Sequence, residues 1–305
     1  MKNLIITGSN GFLGSNLARY FSQSPDYKVF LTSQSPSINP DTDNFIQADV
    51  LDAVSVNKMF SKVRPDIIIN TVSLVNVDQC EQNPALAHRI TIDTAGIIAL
   101  AADRCRSRVV YISSDQLFDG TGSMYTEDEP TRPVNVYGET KCIAELITRR
   151  NNSAALIIRT NFFGWSPVGH IPTFGEWVYT NIRDKKPMNL FTDFYFTPIE
   201  VTYFSEALDK IIIASPFGGI INVAGSQRCS KYEFGMCLGN TLSDMGICEF
   251  DPNLITAATL DMATLKAQRP KDMSLSTDKF RKLFKMKPPA LKESIERFCK
   301  TMPVR

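Results

Sequence analysis

The chain has 305 residues, 43% of them hydrophobic, enough to bury a core without disulfides or metals. Its 33 basic and 32 acidic residues leave a net charge of +1, so charge gives no ground for a nucleic-acid or membrane partner. Seven cysteines without a C-x-x-C pair exclude a disulfide framework and a zinc knuckle; His88 and His170 are far apart, and no metal site is expected.

The N-terminus starts as a signal peptide would, with a basic residue and an apolar run. The run stops at Thr7–Gly8, too short for an h-region. No uninterrupted apolar stretch reaches membrane-spanning length. A soluble protein of a reducing compartment, most simply the cytoplasm, is expected.

In chain order, residues 3–8 read as a buried strand, followed by a helix with apolar residues at Phe12, Leu13, Leu17 and Phe21. Strands are expected at 28–33, 44–50 and 65–73, the last apolar on both faces, with helical spacing over 52–63 between the latter two. A helical pattern from about 84 to 104, a strand at 108–114, a helix containing Tyr137 and a strand at 154–164 follow. Strand–helix alternation with two-sided apolar strands predicts an α/β fold, a doubly wound parallel sheet of Rossmann type. After about residue 164 the pattern loosens: helices at 174–187, 231–246 and 290–300, one short strand at 221–225, and prolines marking loops. The reading is a dinucleotide-binding domain over 1–164, completed by the strand near 220–225. Residues 165–305 then form mainly a smaller, mixed α/β C-terminal substrate lobe.

Between the first strand and helix, TGSNGFLG places Gly8, Gly11 and Gly14 where a dinucleotide-binding turn requires them. Glycines let the backbone approach a pyrophosphate, and N–H groups across Asn10, Phe12 and Leu13 at the helix start face its charge. The structural alternative is a glycine-rich turn without a ligand. The second strand runs into LTSQSPS with neither carboxylate nor arginine, and Ser33 and Gln34 leave room for a 2′-phosphate. That favours NADP(H) over NAD(H). Asp49 and Val50, at the end of the third strand, are candidates for the adenine edge, with a loop or capping aspartate as the alternative.

Ser113 and Ser114 end the strand VVYISS, and Tyr137 and Lys141 lie four residues apart on the next helix. A hydroxyl, a phenol and an ammonium suit carbonyl reduction. Lys141 is expected to lower the phenol's pKa, Tyr137 to give its proton to the carbonyl oxygen, and Ser114 to hold that oxygen.

This set resembles the extended short-chain dehydrogenase/reductase family. The blocks VDQCEQNP (77–84), ISSDQLFDG (112–120), YTEDEPTRPVNVYGETK (125–141), IIRTNFFG (157–164), FTPIEV (196–201) and RPKDMSL (269–275) are similar to those of dTDP-4-dehydrorhamnose reductases, in that family's order. The resemblance implies reduction of a nucleotide-linked 4-keto-6-deoxyhexose with hydride from NAD(P)H. It implies catalytic Ser114, Tyr137 and Lys141, the last also a ribose ligand. It puts Thr71, Val72 and Ser73 beside the nicotinamide half, and Asp78, Gln116, Asn161, Thr197 and Arg269 toward the sugar nucleotide. A homodimer is compatible with it. Gln116 stands where many of these reductases have tyrosine, and Asp93 where the wider family usually has asparagine, a change expected to alter the network behind the active site.

Two alternatives stand beside this reading: a nucleotide-sugar epimerase, and a non-catalytic NADP-binding subunit similar to the regulatory beta subunit of methionine adenosyltransferase. Elsewhere, Cys142 reads as a small buried helix position, and His170 as a structural loop residue. The aromatics Phe191, Phe194, Tyr195 and Phe196 suit nucleobase stacking and lobe packing equally. Acidic residues 126–130 are expected to form an exposed loop.

Overall fold

The computed structural model describes residues 1–38, 44–166, 172–214 and 218–303; His170 lies outside them. Seven strands form one parallel sheet: β1 (Lys2–Thr7), β2 (Tyr27–Ser33), β3 (Phe45–Gln47), β4 (Ile67–Asn70), β5 (Arg108–Ile112), β6 (Leu156–Thr160) and β7 (Gly219–Val223). In space they run β3-β2-β1-β4-β5-β6-β7. The chain builds outward from β1 to β3, then returns to β4 on the other side of β1. The carboxyl ends of β1 and β4 therefore flank the point where winding reverses, the place where doubly wound sheets take their ligands. Thr7 stands opposite Asn70 in this register, so Gly8 and Thr71 begin the two facing loops.

Apolar strands such as the fully buried β4 (IIIN) are explained by helices on both faces. On one face lie α1 (Phe12–Phe21) and α6 (Val201–Ala214), which bury Leu13, Leu17, Phe21, Phe204 and Leu208. Leu13, Leu17 and Phe21 recur every four residues, the spacing of a helical stripe. The other face holds α2 (Ala53–Val63) and α3 (Thr94–Arg104), with α4 (Val136–Asn151) adding Ala144 beside Phe60, Ile98 and Tyr111.

Several elements end earlier than periodicity suggests, each for a local reason. β3 stops at Gln47, two residues before Asp49, whose Oδ1 accepts from Leu51 N at 2.9 Å in a turn. β4 stops at Asn70, whose Oδ1 takes the Thr7 hydroxyl at 2.8 Å and Val72 N at 3.1 Å. The pattern over 84–104 is not one α-helix: a π-helical segment, Arg89–Asp93, joins Pro84–His88 to α3. Such segments frequently occur at functional sites. The whole run, Pro84–Arg104, though interrupted by Arg89 and Asp93, is long and apolar enough to cross a membrane by length and composition. Half of its apolar window is nevertheless packed inside the fold, as in a core helix.

Strand β7 completes the sheet beside β6, as the sequence pattern suggests. A separate apolar cluster gathers residues of α5 (Phe174–Arg183), α7 (Lys231–Asp244) and α8 (Leu291–Lys300). Trp165 stacks on Phe298 there, with centroids 4.3 Å apart. Phe194 and Phe196 are buried in the same cluster, so packing occupies them. Capping boxes at Thr173 and Ser230 start α5 and α7, and the second fixes Lys231 as the first residue of its helix.

The acidic stretch 126–130 departs from the expected exposed loop at Glu127, which is buried. Its Oε1 accepts from Asn222 N at 2.9 Å and so satisfies a backbone donor on the outer strand of the sheet.

Candidate active site

Gly8 has φ +70°, and a Cβ there would meet Thr71 Oγ1 at 2.8 Å. A Cβ on Gly14 would lie 2.2 Å from the Gly8 carbonyl oxygen, so the helix can pack onto the turn only as glycine. Gly11 N donates to Gly8 O at 2.9 Å, closing the turn. Helix α1 begins at Phe12 with no capping side chain and no acidic residue in its first turn, leaving its first N–H groups for an anion. These features fit a pyrophosphate.

The surrounding candidates divide into groups that face this cradle and groups that brace it. Asn10 is held over the loop after β2 by donation to Ser35 Oγ at 2.9 Å and Pro36 O at 2.8 Å. Phe12 anchors the helix start against Phe162, and Leu13 lies in the sheet core. Ser33 ends β2, half-buried. Asp49 is occupied by Leu51 N and by Gln34 Nε2, the latter at 3.1 Å, and Val50 packs into the core under α2. Asp49 is thus a loop-forming aspartate; Asp52 caps α2. Thr71 donates to Thr7 O at 2.6 Å, and Ser73 meets the Thr91 hydroxyl of the π-helical segment at 3.2 Å. Asp93, on that same segment, is exposed.

Ser113 and Ser114 have separate partners. Ser113 donates to Glu145 Oε1 at 2.5 Å, and Arg159 Nη2 clasps Glu145 Oε2 at 2.8 Å, all buried. Ser114 is left beside the Tyr137 phenol, with which it interacts. Asn135 caps α4 by accepting from Gly138 N at 2.9 Å, setting the phenol at the start of the helix. A Cβ on Gly138 would lie 2.2 Å from Gln116 O, so glycine permits this approach.

Burial pushes the Tyr137 phenol well above its ordinary range, with Ser114 pulling the other way. Lys141 donates to Ile112 O at 3.0 Å and lies over the Tyr111 ring. Burial brings Lys141 down to about 8, opposed by Glu145. The expected lowering of the phenol by Lys141 is therefore not what this structure shows. The ammonium is turned to a backbone carbonyl, and Ser114 is the group that acts on the phenol.

Of the five candidates for the sugar nucleotide, Asp78 and Arg269 pair with each other. Asp78 Oδ1 accepts from Arg269 Nη2 at 3.0 Å and from Ala267 N at 3.0 Å, tying the 266–269 loop to the short helix Val77–Gln82. Those backbone donors and Arg269 outweigh the effect of burial and hold the Asp78 carboxyl below its usual range. Asn161 donates to Asp115 Oδ2. Gln116 Oε1 is buried with no partner among the described residues. Thr197 is fully buried and accepts from Leu275 N at 3.0 Å, which places it behind the RPKDMSL segment.

Two charged groups, Asp115 next to Ser114 and Lys231 acting on Asp115, escaped the sequence reading. Asp115 is 2% exposed and accepts from Ser114 Oγ at 3.2 Å. Burial raises it to about 6, against the pull of Asn161 and Lys231. Lys231 carries its ammonium 3.6 Å from the centroid of Phe196 and 4.1 Å from that of Phe174. Burial lowers it to about 8, opposed by Asp115. The S-x-D spacing marks Asp115 only in hindsight, and Lys231 has no local signal. Cys142 packs beside Leu117 and Phe118, and burial raises its thiol to about 11, which leaves it inert.

The strand order and the grouping of Ser114, Tyr137 and Lys141 place the chain among the extended short-chain dehydrogenase/reductases. Within that class the chain belongs to the family described as RmlD substrate binding domain, whose model matches residues 1–304. It is 30% identical to the spore coat polysaccharide biosynthesis protein SpsK of Bacillus subtilis, over 78% of each chain. It is 26% identical to dTDP-4-dehydrorhamnose reductase of Aggregatibacter actinomycetemcomitans, over 94% of this chain and 95% of that one. Methionine adenosyltransferase 2 subunit beta of Rattus norvegicus is 25% identical, over 92% and 82% respectively. In fold it matches dTDP-4-dehydrorhamnose reductase of Bacillus anthracis in complex with NADP, at a TM-score of 0.86 and 23% identity, covering 99% of both chains.

Proposed function

We propose that the chain reduces the 4-keto group of a nucleotide-linked 6-deoxyhexose, dTDP-4-dehydrorhamnose in the first instance, with hydride from NADPH. The observation that carries this is the meeting of Ser114 and Tyr137 at the carboxyl edge of the sheet, two strands along from the glycine turn that follows β1. The relatives named dTDP-4-dehydrorhamnose reductase support the substrate class. The cofactor supplies the hydride; the protein supplies orientation and a proton.

On this reading Gly8, Gly11 and Gly14 admit the pyrophosphate, and the N–H groups from Asn10 to Leu13 bind it. Ser33 takes a 2′-phosphate, since β2 ends without a carboxylate to repel it. Thr71, Val72 and Ser73 wall the nicotinamide side. Lys141, already anchored to Ile112 O, holds the ribose of the cofactor. Tyr137 delivers its proton to the carbonyl oxygen. Its raised pKa in the free protein keeps it protonated until that moment. Arg269, oriented by Asp78, supplies charge for the diphosphate, and the unpaired Gln116 Oε1 accepts from a sugar hydroxyl. The region of 1–164 with β7 holds the cofactor, and the remaining residues mainly hold the sugar nucleotide.

The test is NADPH absorbance on addition of dTDP-4-dehydrorhamnose, with NADH run in parallel. Consumption of NADPH with formation of the 4-hydroxy sugar supports the reductase. Cofactor binding without turnover of any nucleotide keto-sugar would reject it in favour of a binding subunit.

A further inference from the structure

Around Ser114 the hydrogen bonds leave little freedom. Its Oγ accepts from Gln116 N at 3.2 Å and lies 3.2 Å from Asp115 Oδ1. The other carboxyl oxygen, Oδ2, is taken by the amide of Asn161. A serine hydroxyl has one proton and two lone pairs. If Asp115 is ionised, that proton goes to Oδ1, and Ser114 can only accept from Tyr137 or the substrate side. If Asp115 carries a proton on Oδ1, it donates to Ser114. Both lone pairs of Oγ are then filled, and the serine proton has to point toward the phenol and the substrate oxygen.

We infer that Asp115 sets the direction of the Ser114 hydroxyl, and that Lys231 governs that choice through its charge. The inference rests on the reductase reading for its kinetic consequences. Asp115 and Lys231 are positioning residues here, acting through Ser114.

The geometry around the pair is closed. Lys231 projects from the first turn of α7 onto the faces of Phe196 and Phe174, with Phe194 at 5.5 Å, and makes no salt bridge among the described residues. Rings on this side stabilise the cation, while the facing charge is Asp115. The groups that reach Asp115 are Ser114 on its own loop, Asn161 after β6, Lys231 from α7 and Tyr137 from α4. Cys229 lies near Lys231 and Cys80 near Tyr137; burial raises their thiols to about 12 and about 11, so neither titrates at neutral pH. Asp115, at about 6, and Lys231, at about 8, are then the local switches besides Lys141.

The sign follows directly. The productive state has Asp115 protonated, so kcat/KM falls as pH rises through the carboxyl's titration. Lys231 favours the carboxylate; Lys231→Met moves this fall to higher pH by about one unit. Lys231→Arg returns it toward the parent position. In Asp115→Asn the amide oxygen faces Asn161, so its NH2 faces Ser114 as the protonated acid does. That variant loses this limb of the profile, whatever its maximal rate, leaving only the fall belonging to Lys141.

The experiment is kcat/KM against pH for NADPH and dTDP-4-dehydrorhamnose in the parent and these three variants. Infrared difference spectra of the protonated carboxyl band are recorded across the same pH range. A limb that shifts upward in Lys231→Met, returns in Lys231→Arg and vanishes in Asp115→Asn is the expected result. A limb that does not move, or that survives in Asp115→Asn, overturns the inference. The infrared band needs no turnover. If the parent reduces no keto-sugar, the reductase reading fails alone, whereas a band titrating at the same pH in parent and Lys231→Met overturns the coupling itself.

Discussion

Glu145 takes the Ser113 hydroxyl and the Arg159 Nε–H on the same oxygen, at 2.5 Å and 3.0 Å, inside the protein. This contact decides which of two adjacent serines is available for chemistry. Ser113 is committed to a buried ion pair, and Ser114 faces the phenol.

Glu145→Gln leaves the Arg159 guanidinium buried without its counter-charge. Unfolding free energy is expected to drop by about 3–5 kcal/mol. Replacing both, as Glu145→Leu with Arg159→Met, should cost much less, because no orphan charge remains. Urea titrations of the two variants check this; a single variant as stable as the parent would contradict it.

Gly138→Ala forces a carbon to within 2.2 Å of Gln116 O, so the start of α4 has to retreat with Tyr137. A displacement of about 1 Å at the phenol is expected to lower kcat roughly 100-fold. NADPH affinity, measured by fluorescence titration, should change far less. Equal losses in both would point to global damage.

Gly14→Ala acts on the cofactor instead. Its new carbon meets the Gly8 carbonyl at 2.2 Å, backbone against backbone, and no side chain can yield. NADPH dissociation constants should rise by about tenfold or more, about 1.4 kcal/mol or more. Binding by calorimetry at parent strength would show that the turn does not carry the pyrophosphate.

Lys141, brought down to about 8 by burial, gives a pH signature of its own. Its charge is needed, so kcat/KM falls as pH rises through about 8. For stability the sign is opposite. Between about 8 and its ordinary 10.5 the unfolded chain binds this proton and the folded one does not, so unfolding free energy increases with pH across that window. Lys141→Met should remove that increase in denaturant titrations and also abolish turnover.

Arg269→Met removes a charge from the 266–269 loop while Asp78 keeps the backbone of Lys266 and Ala267. KM for the sugar nucleotide should rise at least about tenfold, with kcat within a few-fold of the parent. Steady-state kinetics at two ionic strengths decide it: the effect should shrink with salt.

Legibility in the sequence follows how local each feature is. The strand–helix alternation is set by neighbours along the chain, and the structure agrees with it; the glycine turn and the Tyr137–Lys141 spacing are equally local, the first lying between β1 and α1 and the second on α4. The π-helical segment is hidden because Arg89–Asp93 continues the apolar rhythm of the helices around it. Glu127 sits in an acidic run that reads as solvated until β7 presents an amide without a partner. Lys231 lies far along the chain from Asp115, and only the packing of α7 on Phe174 and Phe196 brings its ammonium to the site. The direction of Lys141 likewise depends on Ile112 O, an atom that no sequence motif displays.

The most direct test of the central claim is a single-turnover reaction with 4-deuterated NADPH and dTDP-4-dehydrorhamnose, comparing the parent with Tyr137→Phe. The account predicts that the parent places deuterium on the former keto carbon of the sugar. Tyr137→Phe should bind both ligands and transfer at least about 100-fold more slowly. Transfer at the parent rate without the phenol would contradict the assignment of Tyr137 as the proton donor.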